Sequence, residues 1–103
     1  MRIYLSDNVF IEQCSATPFL WDLYTVSKGI RKGKEELVEW FKASGLDLGQ
    51  VLKKAPDFEL NEKYKLNEEE FLNLKDYVEE FKTIQEEMFQ KIKITFKNKN
   101  YAI

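Results

Sequence analysis

Histidine is absent from this chain of 103 residues. Its absence removes the usual general base near neutral pH, the Ser-His and Cys-His nucleophile pairs, and the commonest zinc ligand. Cysteine occurs once, at Cys14, so the chain can form no internal disulfide and build no cysteine-based zinc site. A lone cysteine at the end of an apolar run is expected to be a small core residue rather than a nucleophile. Proline and glycine are scarce, at two and four residues, which is far from the composition of a disordered or low-complexity chain.

Other signatures are missing too. Gly29 and Gly33 in "SKGIRKGKEE" lack both the spacing of a phosphate-cradling loop and its Lys-Ser/Thr ending. The longest uncharged run ends at Trp21 and is broken by Pro18 and polar residues, so neither a membrane span nor a secretory apolar region is expected, and the predicted location is cytoplasmic. No metal and no cofactor is predicted. Carboxylates are plentiful, but eleven of the eighteen fall between Asp57 and Glu87. Such a run is expected to be a solvated face, whereas paired catalytic carboxylates need a cleft. The expectation is therefore a non-enzymatic protein.

What is present is a folding pattern, 44% hydrophobic and 33% charged, suited to one domain over 1–103 with a modest core. In "RIYLSDNVFIEQ", Ile3 and Leu5 precede the turn formers Ser6, Asp7 and Asn8, and Val9 and Ile11 follow them, which predicts a tight hairpin. Thr17 and Pro18 then resemble a helix start, and Phe19, Leu23, Val26 and Ile30 follow at spacings of four, three and four. That predicts a helix stopped by Gly29 or Gly33. A second short helix is expected in "KEELVEWFKASG", and a third, capped by Asp47 and ended by Pro56, in "LGQVLKKA". Segment 57–66 is expected to be a packed loop.

The strongest signal is "LNEEEFLNLKDYVEEFKTIQEEMFQKI". Asn67 with Glu70 makes a variant of the capping box, and Phe71, Leu74, Val78, Phe81, Gln85, Met88 and Ile92 alternate spacings of three and four. This predicts a long amphipathic helix over 67–92. Beyond it Ile92, Ile94 and Phe96 alternate with lysines and Thr95, a strand pattern, with Asn98-Lys99 turning toward Tyr101 and Ile103. The expected fold class is α+β: three short helices and one long C-terminal helix packed on a small antiparallel sheet formed by the N- and C-terminal hairpins.

Charge is segregated. Residues 1–56 carry eight basic and seven acidic groups, 57–87 four and eleven, and 88–103 four and none. Acidic surface steers association with basic proteins. The first functional expectation is accordingly a small protein-binding module, an adaptor or inhibitor of the kind mobile elements encode. It would act on a larger basic or nucleic-acid-handling protein through Tyr77, Glu79, Glu80, Phe81, Glu86 and Glu87. Gln85, a polar residue in the middle of an apolar stripe, points the same way, because one such residue can set the pairing of two helices. A homodimer through the 67–92 helix, as in a structural subunit of an assembly, is one alternative. Another is nucleic-acid binding by a helix-turn-helix-like segment over 34–55, with Lys28, Arg31, Lys32, Lys34, Gln50, Lys53 and Lys54 as contacts. The bulky Phe41 four residues before the Gly45 turn and the acidic balance both oppose that alternative.

Overall fold

The computed structural model of the protein describes residues 1–64 and 74–98. Four strands come first: β1 (Arg2–Tyr4), β2 (Val9–Gln13), β3 (Trp21–Arg31) and β4 (Lys34–Leu46). Two helices follow, α1 (Leu48–Tyr64) and α2 (Leu74–Asn98). The strands form one antiparallel meander in the order β1-β2-β3-β4. The class is α+β, as expected, with a different assignment of elements.

The first hairpin is where the sequence places it. Ser6 Oγ accepts from the N–H groups of Asn8 (3.2 Å) and Val9 (3.1 Å) and closes the loop, while donating to Glu59 on α1 at 2.6 Å. The next two expected helices are strands instead. Alternation overrides the helical spacing, because Trp21, Leu23 and Thr25 are buried on one side while Asp22, Tyr24 and Val26 face the other. The ends of the presumed helical stripe, Phe19 and Ile30, are exposed. Thr17 makes a turn rather than a cap, its carbonyl accepting from the N–H of Leu20 at 2.9 Å. Gly29 stops nothing. It lies inside β3, where an added Cβ would stand 2.9 Å from a Val38 methyl carbon and 3.3 Å from the Trp40 ring. Between β3 and β4, Lys32 and Gly33 both take positive φ, 53° and 77°, the two-residue turn whose twist matches that of a hairpin. The helix-turn-helix expected over 34–55 is thereby excluded, since its first half is a strand.

Asp47 does cap α1, reciprocally. Its Oδ1 accepts from the Gln50 N–H at 2.8 Å, and Gln50 Oε1 accepts from the Asp47 N–H at 3.0 Å. The helix does not end at Pro56, which lies inside it, and the segment expected to be a loop is helical up to Tyr64. A proline within a helix cannot donate to the carbonyl four residues back, here that of Leu52. Gln85 Nε2 of α2 donates to that carbonyl at 2.8 Å. The polar residue in the apolar stripe thus bridges the two helices of one chain.

Helix α2 confirms the long amphipathic element over its described part. Asn67, the three glutamates after it and Phe71 fall outside the described residues. So do Lys99, Tyr101 and Ile103 of the expected terminal hairpin. Ile92 to Lys97 continue the helix rather than forming a strand, because Met88, Ile92 and Phe96, each four apart, are all buried. The sheet therefore contains no C-terminal strand among the described residues.

Both helices lie on one face of the sheet. Ile3, Val9, Ile11, Trp21 and Leu23 meet Val51 and Ala55 of α1 and Met88, Ile92 and Phe96 of α2. The ring of Trp21 lies 5.9 Å from that of Phe96. The apolar side of α2 is thus largely covered by its own chain, through α1 and the sheet.

A candidate protein-binding face

Among the described residues, no element covers the opposite face of the sheet. Strand register aligns one residue from each strand in a row across it: Tyr4 pairs with Phe10, Phe10 with Tyr24, and Tyr24 with Phe41. All four are aromatic. Ring centroids are 5.2 Å apart for Tyr4–Phe10, 4.9 Å for Phe10–Tyr24, with planes only 5° apart, and 5.6 Å for the edge-on Tyr24–Phe41 pair. Such cross-strand pairs stabilise a sheet. They also leave Tyr4 and Phe41 52% and 58% exposed at the two ends of the row, while Phe10 in its middle is fully buried beneath the neighbouring rings and Arg2.

Arg2 of the same chain lies over the row. Its guanidinium carbon sits 4.1 Å from the Phe10 centroid, Nη1 donates to Glu39 at 2.7 Å, and Nη2 to Glu12 at 3.4 Å. A planar cation on a ring face with carboxylates at its edge is a favourable arrangement. Hydrogen bonds to Tyr4 and Glu39 hold this guanidinium well above its ordinary pKa. Asp22 lies on the same face. It accepts from Ser44 Oγ at 2.6 Å and from Cys14 Sγ at 3.1 Å, and these bonds keep its carboxyl below the usual range. The same bond pushes the Cys14 thiol up, away from the thiolate a nucleophile needs. Burial and the nearby carboxylates raise Tyr24.

Beyond Val26, whose N–H still donates to the Asn8 carbonyl at 2.7 Å, β3 and β4 continue as a two-stranded ribbon that, among the described residues, pairs only with itself. Its outer side carries Leu37 and Ile30, 72% and 84% exposed. Lys28, Arg31, Lys32 and Lys34, spread over seven positions of sequence, are gathered at the ribbon's tip. Two of them face glutamates, Lys28 to Glu35 at 4.0 Å and Arg31 to Glu36 at 3.8 Å. Gln50 is occupied in the α1 cap. Lys53 and Lys54 are exposed on α1, and Lys53 and Lys54 do not join the ribbon in any reading helix.

The residues expected on α2 do not form one surface. Tyr77 and Phe81 are half-buried, their rings 6.2 Å apart, and line an apolar hollow of about 300 Å³ with Val78, Lys82 and Gln85. Tyr77 donates to Asp57 of α1. Glu79 and Glu86 are exposed on the other side of the helix, as their spacing from Tyr77 and Phe81 requires, and Glu87 is exposed on its flank; Glu80 is half-buried. Local spacing hides the aromatic row, because the two strands that carry Tyr24 and Phe41, β3 and β4, match a helical pattern. The alternation in "WDLYTV" was the available signal.

Among the described residues no helix is long and apolar enough to cross a membrane, and no cluster of three potential ligands could hold a metal ion. No family model, curated protein or solved structure matches the chain.

Proposed function

We propose that the protein is a non-enzymatic protein-binding module that takes an arginine-bearing segment of a basic partner on the outer face of its sheet. The observation that carries the reading is the uncovered row Tyr4–Phe10–Tyr24–Phe41 with Glu12, Asp22 and Glu39 beside it. Arg2 already occupies one position on that row in the manner a partner's arginine would adopt over Phe41 or Tyr4. The acidic excess over residues 57–87 supplies long-range attraction for such a partner and does not require the glutamates of α2 to touch it.

The test is calorimetric titration with a short peptide alternating arginine and serine, at low and moderate salt. Binding should weaken about tenfold or more in Phe41→Ala and in Tyr4→Ala, the usual cost of removing an aromatic anchor. It should change little in Glu86→Gln. Equal loss in all three, or a peptide of alternating glutamate binding as well, would overturn the reading.

Nucleic acid is the second reading, favoured by the basic tip, because a two-stranded ribbon fits a major groove. The glutamates facing Lys28 and Arg31 weaken it. Retention on a heparin column that falls steeply with salt, and is lost in Lys32→Glu, would favour it.

A further inference from the structure

We propose that β4 pairs edge to edge with β4 of a second copy of this chain, making a two-fold dimer with a continuous eight-stranded sheet. The inference concerns the sheet edge and stands apart from the reading of the outer face.

Strand β4 ends the sheet and is 13 residues long. Among the described residues, nothing pairs with its free side. Which main-chain groups point outward follows from the turn. In a two-residue loop with positive φ at both positions, the flanking residues, here Arg31 and Lys34, exchange both hydrogen bonds. Counting in twos, Glu36, Val38 and Trp40 turn their N–H and C=O groups to β3. Glu35, Leu37, Glu39 and Phe41 turn theirs to the open edge. An edge of that length with large exposed apolar side chains is a template for another strand.

The strand's own sequence selects the occupant and the register. A two-fold axis normal to the sheet brings same-face residues together. With the axis at Leu37, Glu35 would face Glu39 of the other chain. With the axis at Val38, Lys34 would face Lys42. With the axis at Trp40, Val38 would face Lys42, and no charge would find its opposite. With the axis at Glu39, Leu37 faces Phe41, Val38 faces Trp40, and Glu36 faces Lys42, which stands at the bulge of β4 between Phe41 and Ala43, each pair occurring twice. Opposed apolar and opposite-charge pairs of this kind stabilise a ladder. The single like-charge meeting is Glu39 with its own copy, and each of those carboxylates already has Arg2 at 2.7 Å. In this register the aromatic row of one chain runs on into Leu37 of the next.

Sedimentation velocity from about 1 to about 500 µM, without peptide, reads the outcome over the range of weak to moderate self-association. The protein should pass from monomer to dimer. Glu36→Lys should raise the dissociation constant about tenfold or more, since it sets a lysine against Lys42 twice, and Glu36→Lys combined with Lys42→Glu should restore it. Leu37→Pro removes only outward-pointing donors, so it should abolish the dimer while circular dichroism shows an intact sheet. A chain that stays monomeric throughout overturns the proposal. So does a dimer unaffected by Leu37→Pro in a folded protein, or a charge-swapped variant no tighter than Glu36→Lys alone.

Discussion

Pro56 has no N–H to give to the Leu52 carbonyl, and Gln85 reaches across from the neighbouring helix to give one. The two residues explain each other. Removing the amide alone leaves a carbonyl unpaired between packed helices, which costs about 1–3 kcal/mol. Gln85→Leu should therefore destabilise the protein by that amount. In a Pro56→Ala background the helix closes its own bond and the cost of Gln85→Leu should fall by half or more, a coupling that chemical denaturation of the four proteins measures directly. Equal costs in both backgrounds would mean that the contact is incidental. Thr25 presents the opposite case. Its hydroxyl is buried on the core face and has no partner among the described residues, so Thr25→Val, which keeps the shape and removes the polar atom, should raise stability by about 1 kcal/mol in the same assay. Tyr77 adds a pH dependence. Its bond to Asp57, assisted by burial, pushes the phenol up to about 12. The folded state favours the neutral phenol, so this stabilisation is complete below the unfolded value near ~10 and is lost as pH rises through about 12. The stability gap between the native protein and Tyr77→Phe should narrow across that window; a gap that stays constant would show that the bond does not perturb the phenol.

Among the elements, those decided by local chemistry were legible in advance. The first hairpin follows from Ser6, Asp7 and Asn8, the start of α1 from Asp47, and α2 from its stripe of apolar residues. Strands β3 and β4 were not, because both segments satisfy two periods at once. Leu23, Val26 and Ile30 suit a helix; Trp21, Leu23 and Thr25 suit a strand. Pairing with β2, which local spacing cannot express, decides for the strand. Gly29 marks that choice, since the close approach of Val38 and Trp40 leaves no room for a side chain there. The helical end of α2 departs from its local pattern for the mirror-image reason. Ile92, Ile94 and Phe96 alternate as in a strand, yet the burial of Met88, Ile92 and Phe96 against the sheet imposes a period of four.

At the scale of the whole molecule, the helices close one face of the sheet, no described residue closes the other, and that second face brings together residues that no local pattern connects. Tyr4, Phe10, Tyr24 and Phe41 come from four strands and are adjacent only through register. The acidic run on α2 is legible in the sequence, whereas the aromatic row is a product of topology and is not. The aromatic residues of α2, Tyr77 and Phe81, are half-buried, and Tyr77 is bonded to Asp57 of α1. The account's central claim is that partners dock on the open face of the sheet. Its most direct test is amide chemical-shift mapping during titration with the arginine-serine peptide. The account predicts shifts concentrated at Arg2, Tyr4, Tyr24, Glu39 and Phe41 with α2 unmoved. Shifts concentrated along Glu79, Glu86 and Glu87, with the sheet silent, would contradict it.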